Sequence, residues 1–151
     1  MANWINITVE NLNNAKIAAL VDALRTAALA EGQEERSAEI IQDVVNRIRD
    51  EIKGCATNQL DADSTKIPKG LKALAVRMVL RALKDAVEEP LTKDESDQRD
   101  LDERYLVRIS KCEIPIATPD DPIAGDVQVG GAVEVVKAPQ PTVTRDTLKG
   151  L

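Results

Sequence analysis

The stretch IPKGLKALAVRMVLRALKDAV, residues 67–87, decides how the chain is read. Leu71, Leu74, Ala75, Met78, Val79, Ala82 and Leu83 recur at helical spacing and cover a wide arc of a helix wheel. A wide apolar arc needs neighbours on more than one side, so this helix belongs at the centre of a helical body. Pro68 sits where a helix tolerates proline, near the first helical position, because the missing N–H has no partner there anyway. The pattern runs to about Val87, and Pro90 closes the region.

Two helices are expected before it and one after it. The first runs from about Thr8, a suitable N-cap, to Leu29, with Leu12, Ile17, Leu20, Val21, Leu24 and Ala28 near one face. Gly32 breaks it. The second runs from about Glu34 to Lys53. Ile40, Val44, Ile48 and Ile52 recur every fourth residue, with Ile41 and Val45 beside them. Its early acids, its late cations and a C′ glycine at Gly54 suit the helix dipole and helix termination. The loop CATNQLDADSTK, residues 55–66, leads into the central helix. The last helix opens at Thr92 and Glu95, which have capping-box spacing, presents Leu101, Tyr105, Ile109 and Cys112 on one face, and ends at Pro115.

From Ala117 the composition changes. Pro119, Pro122, Gly125, Gly130, Gly131, Pro139 and Pro141 forbid a long helix. Within this stretch Val127 and Val129, then Gly-Gly, then Val133 and Val135 alternate as a short β-hairpin would. Strands so short need a partner surface, and a disordered tail is the plainer reading of the same composition. The expected fold is therefore all-α: a small four-helix core over residues 1–116 and a long extended C-terminal arm over residues 117–151.

The 151 residues suit one domain. Apolar residues make up 43%, but with one Trp, one Tyr and no Phe the core is aliphatic and modest, and small cores are often completed by oligomerisation. The net charge of -6 argues against a duplex-DNA binder, which needs a basic face. No signal peptide or membrane span is legible, so host cytoplasm is the expected site of synthesis and no membrane partner is expected. Cys55 and Cys112 form no motif and read as two reduced, inert thiols of a cytosolic protein.

Chemistry has little to stand on. The chain has no His, which removes the imidazole bases, the Ser-His and Cys-His pairs and most zinc sites. It carries no phosphate-binding glycine motif. Asp61, Asp63 and Ser64 begin a calcium-loop pattern, but the sixth and twelfth positions hold Lys66 and Lys72. The carboxylates of KDESDQRDLDER, residues 93–104, read as a solvated or partner-facing surface. No catalytic residue, cofactor or metal ligand is assigned, and the chain is read as a non-enzyme.

A charge contrast stands out. Lys66 to Lys84 holds six cations and no acid, and Asp94 to Arg104 holds six acids and two cations. Two neighbouring helices of one chain can match this way, and so can neighbouring copies in an assembly, where charge selects partner and register.

KIPKGLKALAVRMVLRAL, an acidic helix closing on YLVRISKCEIPI, and a Pro/Gly-rich stretch closing on TRDTLKGL together resemble the head–tail connector family of tailed bacteriophages, in particular the head-completion (adaptor) proteins of Mu-like phages. Pro68 matches the family's loop proline, and Arg145, Asp146, Leu148 and Gly150 match its closing phrase. The likeness extends from about Ile7 to Leu151. It implies a virion protein of the neck: a twelve-fold ring of copies on the portal protein, extending the DNA channel and offering a platform to a stopper or tail terminator. Genomic DNA would pass without specific binding. It further implies that the arm holds neighbours or portal, with Leu148 and Leu151 in an apolar groove and Arg145 paired with an acid. The contact residues expected on this reading are Lys69, Lys72, Arg77, Arg81, Lys84, Asp94, Asp97 and Asp100 on the helices, and Val127, Val129, Val133, Val135, Arg145, Asp146, Leu148 and Leu151 on the arm. The alternatives are a small DNA-packaging or regulatory protein that binds nucleic acid through the basic face of the third helix, and a helical interaction module from a non-viral system.

Overall fold

The second predicted helix forms as α3, Ser37–Gly54, and its stripe becomes the core: Ile41, Val44, Val45, Ile48 and Ile52 are buried. Each such side chain contributes roughly 1.5–3 kcal/mol when removed from water. In this computed structural model, which describes residues 1–12, 14–31 and 36–124, α3 lies against α4 (Lys72–Ala86) and α5 (Lys93–Ser110). α2 (Ala15–Glu31) packs against α4, touches α3, and inserts Ile17 and Leu20 into the core. α4 thus packs on three helices, as its wide apolar arc requires. The architecture is mostly helical, with four long helices among the described residues.

The first predicted helix is in fact two. A single turn, α1 (Val9–Leu12), comes first, and α2 begins afresh at Ala15, behind Asn14. The Asn14 side chain accepts hydrogen bonds from the backbone N–H groups of Lys16 (3.0 Å) and Ile17 (3.4 Å), which makes it the N-cap of a new helix.

Pro68 does not open a helix. It ends β2 (Lys66–Pro68), which pairs antiparallel with β1 (Trp4–Asn6), with Trp4 opposite Pro68 and Ile5 opposite Ile67. Proline disfavours the helical conformation in the residue before it, so the chain stays extended here. A single 3₁₀ turn over Lys69–Leu71 then leads into α4.

α5 carries the capping box expected of it. The Glu95 N–H donates to the Thr92 hydroxyl and the Thr92 N–H to the Glu95 carboxylate. Its inward line differs from the expected one: Asp102, Leu106 and Ile109 are buried, while Leu101 and Tyr105 lie 55% and 39% exposed. The helix stops before Pro115, in a Schellman turn. The Glu113 N–H reaches the Arg108 carbonyl (2.9 Å), the Cys112 N–H reaches the Ile109 carbonyl (3.0 Å), and Cys112 takes φ 61°. α4 ends the same way, with Glu88 at φ 57°.

The two cysteines are not free thiols: Cys55 and Cys112 form a disulfide, with Cα atoms 5.2 Å apart. The reason is three-dimensional. A Cβ on Gly54 would lie 2.8 Å from Ser110 Cβ, so glycine lets the ends of α3 and α5 meet, and the following cysteines come within bonding reach. Gly54 is therefore a contact residue inside the helix, not the C′ residue its position suggested.

Residues 117–124, the start of the predicted arm, run back over the body. The Trp4 indole N–H donates to the Ala117 carbonyl (2.9 Å), and the Asp120 carboxylate accepts from the N–H groups of Asn3 and Trp4. Ala62 donates to Asp121, Ile123 donates to Leu60, and Asp61 bridges to Pro122. The Arg49 guanidinium, buried beneath, stacks 5.8 Å from the Trp4 ring and donates to the carbonyls of Asp61, Asp63 and Lys66. No helix among the described residues is long and apolar enough to cross a membrane.

Candidate functional site

The charge contrast read in the sequence lies at the seam between α4 and α5. Arg77 and Arg81 are one turn apart on α4; Gln98 and Asp102 are one turn apart on α5. Arg77 grips the Asp102 carboxylate through Nε (3.1 and 3.2 Å) and Nη2 (2.6 Å), Arg81 Nη2 donates at 2.8 Å, and the Gln98 amide donates at 3.2 Å. Asp102 is 3% exposed. Burial alone would push its carboxyl up, but the hydrogen bonds from Arg77, Arg81 and Gln98 outweigh that and hold it below the usual carboxylate range.

Further along α4, Lys84 donates to both Glu95 oxygens (2.8 and 3.0 Å) and lies 3.3 Å from Glu89. The Lys84 ammonium, with help from the Thr92 N–H, lowers the Glu95 carboxyl to about 2. Glu95 therefore does two jobs, closing the cap of α5 and tying α5 to α4.

Three of the five cations expected to face another subunit, Arg77, Arg81 and Lys84, are thus engaged within the chain. Lys69 is exposed and Lys72 half-buried, and neither has an ion-pair partner among the described residues. Asp94, Asp97 and Asp100 are exposed on the outer side of α5; among the described residues Asp100 meets only Arg99, at 3.7 Å. Val127, Val129, Val133, Val135, Arg145, Asp146, Leu148 and Leu151 lie outside the described residues, as does the expected hairpin.

The calcium-like loop serves the backbone. Asp63 accepts from the Thr65 N–H and hydroxyl, and Asp61 accepts from the N–H groups of Asp63 and Asp121. Among the described residues no group of three His, Cys, Asp or Glu side chains could hold a metal ion.

One concavity was not legible in the sequence. A groove of about 800 Å³ runs between α2, α3 and α4, with the first half of α5 at its rim. Leu24, Ala27, Ala28, Ile40, Met78 and Ala82 form its apolar lining. The alanines stop at Cβ, so the helices leave open space where longer side chains would have closed it. Around it stand four arginines, all engaged: Arg36 with Glu39 (2.9 Å), Arg47 with Glu51 and Glu103 (3.4 and 3.0 Å), Arg81 with Asp102 (2.8 Å) and Arg99 with Asp100 (3.7 Å). Three acids on the same rim, Asp43, Asp85 and Glu88, have no ion-pair partner among the described residues. Among the described residues, the groove's uncompensated charge is negative.

No family model, curated protein or solved structure matches this chain. A second, smaller hollow of about 250 Å³ sits beside the exposed Leu101 and Tyr105, over Leu71 and Leu74. Its signal in the sequence is the same Leu101 and Tyr105, which share a helical face with Ile109 and so read as core rather than as the edge of a hollow.

Proposed function

We propose that this chain is a structural subunit of the head–tail connector of a tailed bacteriophage, forming a ring on the portal protein and joining the capsid vertex to the tail. The observation that carries the reading is the ordered run of motifs, from the proline loop through the basic and acidic helices to TRDTLKGL. Three features support it. The helical body is small and aliphatic, the kind of core that gains from assembly. The segment from Ala117 to Ala124 is strapped to the body, so the arm departs from a fixed point on its surface. The exposed Lys69, Asp94, Asp97 and Asp100 leave charge for neighbours once the seam between α4 and α5 is satisfied.

The nucleic-acid alternative loses support from the same seam. Arg77, Arg81 and Lys84 are neutralised by Asp102, Glu95 and Glu89, which removes half of the six cations that made the third helix basic.

The test is electron microscopy of the protein mixed with the portal protein of the same genome. A ring stacked on the portal is expected. Absence of binding at both low and physiological salt, together with salt-sensitive binding to duplex DNA, would overturn the connector reading in favour of the nucleic-acid one.

A further inference from the structure

We infer that the outer stripe of α5 is a self-association surface, on which a second copy of this chain lays its own α5 antiparallel about a two-fold axis at Leu101. The apolar centre of the stripe is the first observation. Among the described residues five large apolar side chains are exposed, and three of them, Leu101, Tyr105 and Val107, belong to α5. Leu101 is 55% exposed, and beside it opens the hollow of about 250 Å³ over Leu71 and Leu74. A Cβ on Gly70, in the wall of that hollow, would meet nothing within 4 Å. A projecting leucine next to an open hollow suits a surface that meets its own copy, because each copy can fill the other's hollow.

The charges select the copy and its direction. At about 100° per residue, Asp94, Asp97, Arg104, Tyr105 and Arg108 all fall within about 60° of Leu101 around the helix. The stripe is thus acidic at its N-terminal end, apolar at its centre and basic at its C-terminal end. Asp94, Asp97 and Arg104 have no ion-pair partner among the described residues. Arg108 meets Glu113 in a pair whose side chains are 58% and 49% exposed, which is worth little and exchanges readily. The helix dipole accounts for Asp94 in the first turn and Arg108 in the last. It does not account for Asp97 and Arg104, which stand in inner turns.

A parallel copy would set acid on acid and base on base. An antiparallel copy centred on Leu101 sets Asp94 opposite Arg108 and Asp97 beside Arg104, and the two-fold axis repeats both contacts. The matching partner carries the same order of charges, and a second copy of this chain does. α5 has 18 residues and is about 27 Å long. A strip of that length and one helix wide falls short of the ~800 Å² per partner of a standard interface, so the pair is weak and reversible. An isologous pair closes on itself and builds no ring. It therefore describes the free protein and does not rest on the connector reading. A ring that presents Asp94 and Asp97 to a neighbour would have to open it.

The experiment is sedimentation equilibrium of the full-length chain alone, from low to high micromolar concentration, at low and at high salt. A monomer–dimer equilibrium is expected, and its dissociation constant should rise at least tenfold between about 50 mM and about 500 mM salt. Two variants test the register: one carries Asp94→Arg and Asp97→Arg, the other Arg104→Glu and Arg108→Glu. Each alone should be monomeric, because its stripe then bears one sign of charge. Mixed in equal amounts they should form a heterodimer at least as tight as the parent pair, an outcome that misfolding cannot mimic. A parent that stays monomeric throughout would overturn the inference, whether the stripe is covered by the chain's own residues 125–151 or kept for the portal. So would a dimer that both variants still form alone, a mixture that stays monomeric, or assembly beyond the dimer. A ring on the portal built from a chain that is monomeric when free would sink the pair and leave the connector reading standing. The expected dimers without any ring on the portal would uphold the pair and sink the connector reading.

Discussion

Removing the Asp102 carboxylate separates an internal use of the charge pattern from an external one. In Asp102→Ala, Arg77, Arg81 and Gln98 lose their common acceptor. Breaking a buried pair by deleting one partner typically costs about 3–5 kcal/mol. The Arg77 side chain is 39% exposed and can turn to water, so its share is discounted; the Arg81 side chain is 11% exposed and cannot. A loss of about 3 kcal/mol is expected, and with it a fall of roughly 6–12 °C in Tm. The assay is denaturant unfolding monitored by far-UV circular dichroism, on Asp102→Ala, Arg81→Ala and the double variant. The double-mutant cycle should return a coupling of about 1.5–3 kcal/mol. If Asp102→Ala stays within about 0.5 kcal/mol of the parent and the cycle is additive, the seam is not what holds α4 to α5, and its charges are free for another subunit after all.

Gly54→Ala sets two effects against each other. Alanine is favoured over glycine inside a helix by about 1 kcal/mol, but its Cβ would lie 2.8 Å from Ser110 Cβ, so a net loss of roughly 1–3 kcal/mol is expected, recovered by adding Ser110→Gly. The Cys55–Cys112 bond closes a loop of 57 residues, worth at most about 4 kcal/mol in chain entropy. Because Cys112 is exposed, dithiothreitol should lower the unfolding midpoint of the parent and leave that of a variant carrying Cys55→Ala and Cys112→Ala unchanged. Stability should also fall in acid. Glu95 is lowered from 4.5 to about 2 in the folded chain, so its contribution is complete above pH 4.5 and is lost as pH falls to about 2. Lys84→Met, which removes the main cause of that shift, should flatten the acid limb of a stability–pH curve.

Local signals in the sequence are reliable where the physics is local. The four-residue stripe of α3 and the Thr92–Glu95 cap need nothing beyond their own segments, and both stand in the structure. The inward face of α5 departs from its hydropathy pattern because its centre is a carboxylate. Asp102 is buried only because α4 brings two arginines to it, and a hydropathy pattern counts Leu101 and Tyr105 instead. Asn14 escapes a sequence reading because a side-chain cap inside an apolar pattern looks like one more polar residue. Pro68 is equally at home opening a helix and ending a strand, and the choice is made by β1, far earlier in the chain. The disulfide follows from the close approach at Gly54, which no spacing announces. The groove has no sequence signal at all. Its lining alternates small and large residues from three helices, and nothing in the sequence sets its rim acids apart from other surface acids.

The central claim is that the helical body of residues 1–124 stands without residues 125–151 and that residues 125–151 do the assembling. The most direct measurement compares the full chain with one ending at Ala124, each mixed with portal and weighed by sedimentation, with far-UV circular dichroism on both. The account predicts an unchanged helical spectrum, a ring on the portal for the full chain and none for the shortened one. A shortened chain that keeps its helices and still assembles normally would contradict it.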